Sequence, residues 1–193
     1  MTRKEWVHKI SKIVEGSTVL TKEHSEILRE IVIRNFRSNM GFVGYECVLV
    51  LDFEGIEDVT CSFVSNFLML SVKMCKKNLC SYCIVKNANL EIEAAIDSVL
   101  KNNSISVLST SFRGTIALGS CGKVLKPILD MILITKGKVD SKYISDKLGL
   151  TISLTNNRLN KLVSLGLIMK EPSVRLEGDR GGQKCLYQSI MMK

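Results

Sequence analysis

The stretch that most constrains this 193-residue chain runs from residue 140 to residue 168 and reads DSKYISDKLGLTISLTNNRLNKLVSLGLI. Asp140 is a residue type that favours a helix N-cap, and apolar residues then recur at helical spacing. Gly149 stands where that helix should end in a left-handed residue. Ser153 is expected to cap a second helix, which Gly166 closes. The spacing therefore predicts two helices joined by a short turn.

The flanking residues extend this pattern. Upstream, apolar residues between 124 and 133 predict an amphipathic helix, and downstream residues 167–168 begin a strand. Turn-forming residues at 177–183 precede a second short strand at 185–190. Three helices followed by a hairpin is the order of a winged helix-turn-helix domain. Residues 123–193 resemble that family, and RLNKLVSLGLI resembles its recognition helix running into the wing. The resemblance implies an α+β domain that binds duplex DNA.

The charge of the chain is concentrated in the same region. Residues 123–193 contain 13 Lys and Arg against 6 Asp and Glu, a net charge of +7. Residues 1–122 contain 14 against 13, a net charge of +1. A basic segment beside a neutral one indicates that one part of the chain meets phosphate and the other does not. The alternative is a surface charged for solubility.

The outward face of the second helix supplies the predicted base-reading groups. Asparagine can make a bidentate contact to adenine, and arginine or lysine can contact guanine or phosphate. We expect Asn156 and Asn157 to read bases, because the first turns of a recognition helix lie closest to them. Arg180, beside two glycines at the hairpin tip, suits a minor-groove or backbone contact, although an ordinary solvated hairpin is the alternative. The full set of predicted DNA-binding residues is Asn156, Asn157, Arg158, Asn160, Lys161, Arg175, Arg180, Gln183 and Lys184.

The middle of the chain alternates strands and helices. Residues 46–53, ECVLVLDF, are apolar and β-branched enough for a buried strand. The alternation predicts a parallel or mixed sheet with helices packed on it. Further strands are predicted at 79–85 and 105–108, and helices at 2–15, 22–36, 62–77 and 90–101.

One motif in this region carries a second resemblance. The run VLVLDFEGIEDVTCSFVSNFLMLSVK is similar to STAS domains, the fold of anti-sigma-factor antagonists, and to their shorter STAS-like group with a "DFeG(V/I)…SF" run. The matching residues are Asp52, Phe53, Glu54, Gly55, Ile56, Ser62 and Phe63. The resemblance covers residues 45–110. It implies an α/β domain with a mixed sheet that senses a signal, binds a partner or dimerises.

The STAS resemblance also implies a phosphorylation site. In antagonists of this family, a serine at the start of the helix after the motif accepts phosphate. Ser62 corresponds to the second serine of that motif, whereas Thr60 and Cys61 replace its acidic residue and first serine. The alternative is that Ser62 only caps the helix and Phe63 packs in the core.

The sequence does not predict an enzyme or a cofactor. It contains no G-x-S-x-G, P-loop, G-x-G-x-x-G or H-E-x-x-H motif. Cys75, Cys80 and Cys83 are spaced as in plant-type iron–sulfur ligation, but a fourth ligand at comparable distance is missing. Cysteine is also a common small core residue, and we expect no metal. Seven cysteines, an odd number, indicate free thiols.

The sequence as a whole predicts a cytoplasmic, prokaryotic, DNA-binding transcriptional regulator. No apolar run approaches a membrane span, and the first residues lack a signal-peptide core. The expected organisation is an N-terminal helical segment (1–40) packed on a STAS-like domain (41–112), a linker (113–122) and a winged helix-turn-helix domain (123–193). Expected partners are duplex DNA, a second copy of the chain, and a regulatory protein or small ligand at the STAS-like domain. The alternative is a protein-interaction adaptor that does not bind DNA.

Overall fold

The computed structural model describes residues 2–39, 45–77, 81–135, 137–171 and 185–191. The chain divides into two compact units, Met1–Ser120 and Cys121–Lys193, called here the N-terminal unit and the C-terminal unit. Within the described ranges, no helix combines the length and the apolar character needed to cross a membrane.

The N-terminal unit is built on a five-stranded mixed sheet. The strands of this unit are β1 (Thr2–Lys9), β2 (Val19–Leu20), β3 (Tyr45–Asp52), β4 (Asp58–Val59), β5 (Ser81–Lys86), β6 (Ser106–Ser111) and β7 (Gly114–Gly119). The sheet order is β1-β3-β5-β6-β7, with β7 antiparallel to β6 and the other neighbours parallel. Strands β2 and β4 form a separate parallel pair. The predicted α/β architecture with a mixed sheet is confirmed for this unit.

Helices connect the parallel strands. They are α1 (Ile10–Ile13), α2 (Lys22–Leu28), α3 (Arg34–Asn39), α4 (Cys61–Phe63), α5 (Met69–Lys77) and α6 (Leu90–Asn102). Two π-helical segments, Arg29–Ile33 and Val64–Leu68, join α2 to α3 and α4 to α5. Thr60 and Asn89 cap the second and third helical stretches, because their side chains accept from backbone N–H groups that have no partner inside the helix. At the start of α2, the Thr21 N–H donates to His24 Nδ1.

The core of the N-terminal unit lies between these helices and one face of the sheet. Alternate residues of β3, Leu49 and Leu51, join Phe63 and Phe67 in one buried cluster. The Phe63 and Phe67 rings are 5.5 Å apart between centroids. Burying side chains of this size stabilises the fold by roughly 1.5–3 kcal/mol each. Val48, which points to the other face of the sheet, is also fully buried.

The DFEGI run forms a rigid loop after β3. The Asp52 carboxylate accepts hydrogen bonds from the backbone N–H of Glu54 at 3.0 Å and from the Asn87 side chain at 2.9 Å. Phe53 is fully buried and meets the Phe63 ring edge-on, with centroids 6.5 Å apart. Gly55 has a φ of +85°, a conformation that favours glycine. The contacts of these residues shape the loop and anchor the next helix.

The predicted helix over residues 2–15 is wrong for its first eight residues. Residues 2–9 form β1, which pairs with β3 along its whole length, and only Ile10–Ile13 are helical. The spacing of Trp6, Ile10 and Ile13 fits a helix, but it is also compatible with a strand followed by one helical turn. Pairing with the backbone of β3 overrides the local preference.

Residues 113–122, predicted to be a linker, contain a strand. Gly114–Gly119 form β7, the antiparallel partner of β6 at the edge of the sheet. Gly119 has a φ of +89°, and its N–H donates to the Asp97 carboxylate of α6 at 2.7 Å. In the sequence, the glycines at the two ends of this segment suggest a flexible connection. In the structure, Gly119 instead allows β7 to approach α6 closely.

In its described residues, the C-terminal unit has three helices and a small sheet. Its elements are α7 (Lys126–Ile134), β8 (Val139–Asp140), α8 (Ser141–Leu148), α9 (Ile152–Ser164), β9 (Ile168–Glu171) and β10 (Leu186–Ser189). The sheet order is β8-β10-β9, and both pairings are antiparallel. Ile132 of α7, Ile144 of α8 and Leu159 of α9 are all fully buried, as is Ile168 of β9. Residues 172–184, which include the predicted turn, lie outside the described residues.

Candidate nucleic-acid interface

The turn between α8 and α9 is fixed at both of its ends. The Asp140 carboxylate accepts a hydrogen bond from the backbone N–H of Tyr143 at 2.7 Å and caps α8, as predicted. Gly149 ends α8 in the left-handed region, with a φ of +63°, also as predicted. Thr151 rather than Ser153 caps α9, because its hydroxyl accepts from the Leu154 N–H at 3.3 Å. The second helix therefore begins earlier than the sequence suggested.

The inner face of α9 holds the helix in the core. Thr155, Leu159 and Leu162 are fully buried and lie on one side of the helix. At the far end, the N–H of Leu167 donates to the carbonyl of Leu162 at 3.1 Å, and Gly166 takes a φ of +73°. The helix is thus anchored on one face and at both ends, so its outward face has a defined orientation.

The structure places the five predicted residues of α9 on or beside this outward face. Asn157, Asn160 and Lys161 are exposed, whereas Asn156 and Arg158 are partly buried along the two flanks. No described residue forms an ion pair with Arg158 or Lys161. The four predicted hairpin residues, Arg175, Arg180, Gln183 and Lys184, lie outside the described residues.

The charge of α9 favours an anionic partner. The helix contains no Asp or Glu between residues 152 and 164, so its N-terminus carries no negative charge to oppose a phosphate. Lys170 of β9 donates from Nζ to Asn160 Oδ1 at 3.4 Å and adds a cation beside the helix. Lys170 is not among the DNA-binding residues predicted from the sequence. The apolar residues Ile168 and Met169 just before it, both buried in the structure, indicate a strand in the sequence. Only the fold shows that Lys170 contacts α9.

Two apolar side chains interrupt the polar face at the start of α9. Ile152 is 51% exposed and Leu154 is 39% exposed. Residues three or four positions apart are neighbours on a helix, which places Ile152 beside Asn156, and Leu154 beside Asn157 and Arg158. Neither Ile152 nor Leu154 is among the DNA-binding residues predicted from the sequence.

In the N-terminal unit, the structure changes the interpretation of Ser62. Thr60 caps the helix, because its hydroxyl accepts from the Phe63 N–H at 3.2 Å. Ser62 is therefore not the cap, and its side chain is exposed in the first turn. The same Thr60 hydroxyl donates to the carbonyl of Leu20 at 3.2 Å and ties this helix start to β2.

Two of the three cysteines considered as metal ligands, Cys75 and Cys83, are neighbours in the core. Cys75 of α5 and Cys83 of β5 both lie in the core, and Cys80 lies outside the described residues. A hydrogen bond with the Cys75 thiol, together with burial, raises the pKa of Cys83 well above its ordinary value, so this thiol stays protonated. Among the residues that the structure describes, no group of three or more His, Cys, Asp or Glu side chains is placed to hold a metal ion.

A groove of about 1100 Å³ opens on the helical side of the N-terminal unit. It lies between the π-helical segment Arg29–Ile33 and α5. Its lining is mostly charged, with basic residues such as Lys73 and Lys77 beside the acidic Glu26 and Glu30, and Met74 is among its apolar members. A groove of this size and composition has room for a small ligand or a segment of a partner protein.

No protein-family model, no curated protein and no solved structure matches this chain.

Proposed function

We propose that the chain is a DNA-binding transcriptional regulator whose C-terminal unit acts as a winged helix-turn-helix. In this proposal α9 enters the major groove and its outward face meets the base edges. The observation that carries the proposal is the arrangement of α9. It is a 13-residue helix, anchored by buried residues on one side, with Asn157, Asn160 and Lys161 exposed on the other.

The electrostatics of the C-terminal part support this assignment. The net charge of +7 over residues 123–193 lowers the free energy of binding to phosphates through counterion release. The N-terminus of α9 carries the positive end of the helix dipole and no acidic side chain. Asn156 and Asn157 lie in the first two turns, where a recognition helix approaches the bases most closely. The proposed hairpin contacts, Arg180 among them, would add backbone or minor-groove binding.

For the N-terminal unit we propose a STAS-like role in sensing, partner binding or dimerisation. The groove beside α5 offers a place for a ligand or a protein segment, and Ser62 offers an exposed hydroxyl at a helix start. A homodimer would match the two-fold symmetry of a palindromic operator. Light scattering of the full chain, free and on DNA, tests this directly, and a monomer in both states would refute the dimer.

The first experiment is selection of binding sites from a random duplex-DNA pool at two salt concentrations. The proposal predicts enrichment of a defined motif and an affinity that falls steeply as salt increases. A palindromic motif would support the dimer as well. No binding at low salt would contradict the proposal and favour the protein-interaction adaptor, which a pull-down of partner proteins with the full chain would then examine.

Substitutions in α9 test the assignment of base-reading residues. Asn156→Ala and Asn157→Ala should each weaken binding to the selected site by about 1–3 kcal/mol and relax base preference at one position. Ser164→Ala is the matched control, since Ser164 is exposed in the last turn of the same helix. Unchanged base preference in the asparagine variants would remove those residues from the base-reading set.

A further inference from the structure

The first turn of α9 has a composition that solvation alone does not explain. A helix face exposed to water is usually polar, and the rest of the outward face of α9 follows this rule. Ile152 and Leu154 break it within three residues, and they do so where the proposed DNA contacts begin. Residues that depart from a local pattern without a packing reason are candidates for function.

The partner that fits these two side chains is the methyl group of thymine. In the major groove, thymine differs from the other bases by presenting an apolar C5-methyl group, which aliphatic side chains can contact. Ile152 lies one helical turn before Asn156, and Leu154 lies beside Asn157. An asparagine that pairs with adenine and an aliphatic group that meets thymine recognise the same kind of base pair.

We propose that Ile152 and Leu154 read thymine methyl groups, so that the start of α9 selects A·T pairs in the operator half-site. This inference rests on the proposed function, because it requires α9 to enter the major groove. It adds the class of base that is recognised and two residues that determine specificity. Burying one methyl group in an apolar contact corresponds to about a fourfold gain in affinity.

The test uses the duplex enriched from the random pool, prepared once with thymine and once with uracil. Uracil lacks only the C5-methyl group, so base pairing and the phosphates are unchanged. The full chain should bind the uracil duplex about fourfold more weakly for each contacted thymine. The double variant Ile152→Ser, Leu154→Ser should bind both duplexes with equal affinity. Circular dichroism checks that the variant is folded, as expected for two exposed positions.

A matched control is available in the same unit. Ile134, at the end of α7, is 78% exposed but lies outside α9, so Ile134→Ser should keep the full thymine preference. Equal binding of both duplexes by the unmodified chain would overturn the inference and leave the proposed function standing. A thymine preference that survives in the double variant would overturn it too. Failure of the full chain to bind the random duplex-DNA pool at low salt would instead refute the proposed function itself.

Salt-sensitive binding without any enriched sequence would also overturn the inference. A helix that reads methyl groups must prefer some sequences over others. Enrichment of sequences rich in G·C pairs would have the same consequence, because the proposed contacts require thymine in the half-site.

Discussion

Two helices of equal length, α6 in the N-terminal unit and α9 in the C-terminal unit, use their polar residues in opposite ways. Both have 13 residues and both begin at a side-chain cap, Asn89 for α6 and Thr151 for α9. Two acidic side chains of α6, Glu93 and Asp97, are bound inside its own unit. Glu93 is buried and accepts from the Ser109 hydroxyl at 2.7 Å, and Arg113 pairs with its second oxygen.

In α9 the polar groups other than Thr155 lie on or beside the face turned away from the core. Its exposed side has asparagines and a lysine with no acidic neighbour on the helix, and only Asn160 bonds to another element, through Lys170, among the described residues. The contrast shows that length and capping explain how a helix forms. Whether its polar groups are bound inside the fold or exposed on the surface indicates the role of the helix. Polar groups satisfied internally stabilise a fold, and polar groups left outward are available to a partner.

The largest effect is expected where β7 approaches α6 most closely. A Cβ added at Gly119 would lie 2.1 Å from the carbonyl oxygen of Ile105, and φ is +89° there. Gly119→Ala should therefore lower the free energy of unfolding by about 4 kcal/mol. Gly114→Ala, in the same strand at φ +107° but with open space around its Cβ, should cost about 1–2 kcal/mol. Denaturation followed by Trp6 fluorescence measures both, since Trp6 is the single tryptophan of the chain. Similar losses in the two variants would contradict a steric cause.

The next effect concerns the buried carboxylate of α6. Glu93→Ala should lower the free energy of unfolding by about 2–3 kcal/mol, because it leaves the buried Ser109 hydroxyl without its partner. Glu91→Ala is the control, since Glu91 is exposed in the same first turn and should change stability by less than about 0.5 kcal/mol. Trp6 fluorescence again reports the transition. Equal changes in the free energy of unfolding for Glu93→Ala and Glu91→Ala would mean that the buried carboxylate does not stabilise the fold. The contrast between the polar groups of α6 and those of α9 would then be lost.

In α9 one polar group points inward, and its removal should stabilise the helix. The Thr155 hydroxyl is buried and has no hydrogen-bond partner within the described part of the chain. Thr155→Val keeps the shape of the side chain and should raise the free energy of unfolding by about 1 kcal/mol. Thr151→Val should lower it by about 1 kcal/mol, because it removes the N-cap. Hydrogen exchange of the α9 amides measures both, and a destabilised Thr155 variant would be the contrary result.

The smallest expected effect is a pH response confined to the N-terminal unit, which contains both histidines. Partial burial lowers the pKa of His8 below its ordinary value of 6.5, so the folded state prefers the neutral ring. The unfolded chain then binds more protons, and stability falls as the pH decreases through this range. Denaturation midpoints at pH 7.5 and 5.5 should differ more in the unmodified chain than in His8→Gln. If the midpoint changed equally with pH in the unmodified chain and in His8→Gln, His8 would be excluded as the source of the pH response.

Local signals allowed part of the fold to be predicted from the sequence. Gly149 and Asp140 mark the ends of α8 because a left-handed glycine and a capping carboxylate act within a few residues. The choice between Thr151 and Ser153 as the cap of α9 could not be made in this way. Both residue types cap helices, and the position of the first turn depends on how the helix packs in the core.

Long-range pairing decided what the sequence did not reveal. Residues 2–9 became a strand because β3 offers eight residues of backbone to pair with. Gly114–Gly119 became an edge strand because β6 lies beside it. The same limit applies to the candidate site. The periodicity of α9 indicated its outward asparagines, but the contact of Lys170 with Asn160 depends on the path of β9.

The parallel pairing of β1 with β3 also affects how the chain is made. Residue 2 pairs with residue 45, so each residue of β1 is synthesised 43 residues before its partner in β3. At about 5–20 residues per second, this interval lasts several seconds on the ribosome. During that time an eight-residue segment exposes unpaired backbone groups that another nascent chain can bind. A pause in translation after β1 has left the ribosome and before β3 has done so should therefore increase aggregation of newly made chains.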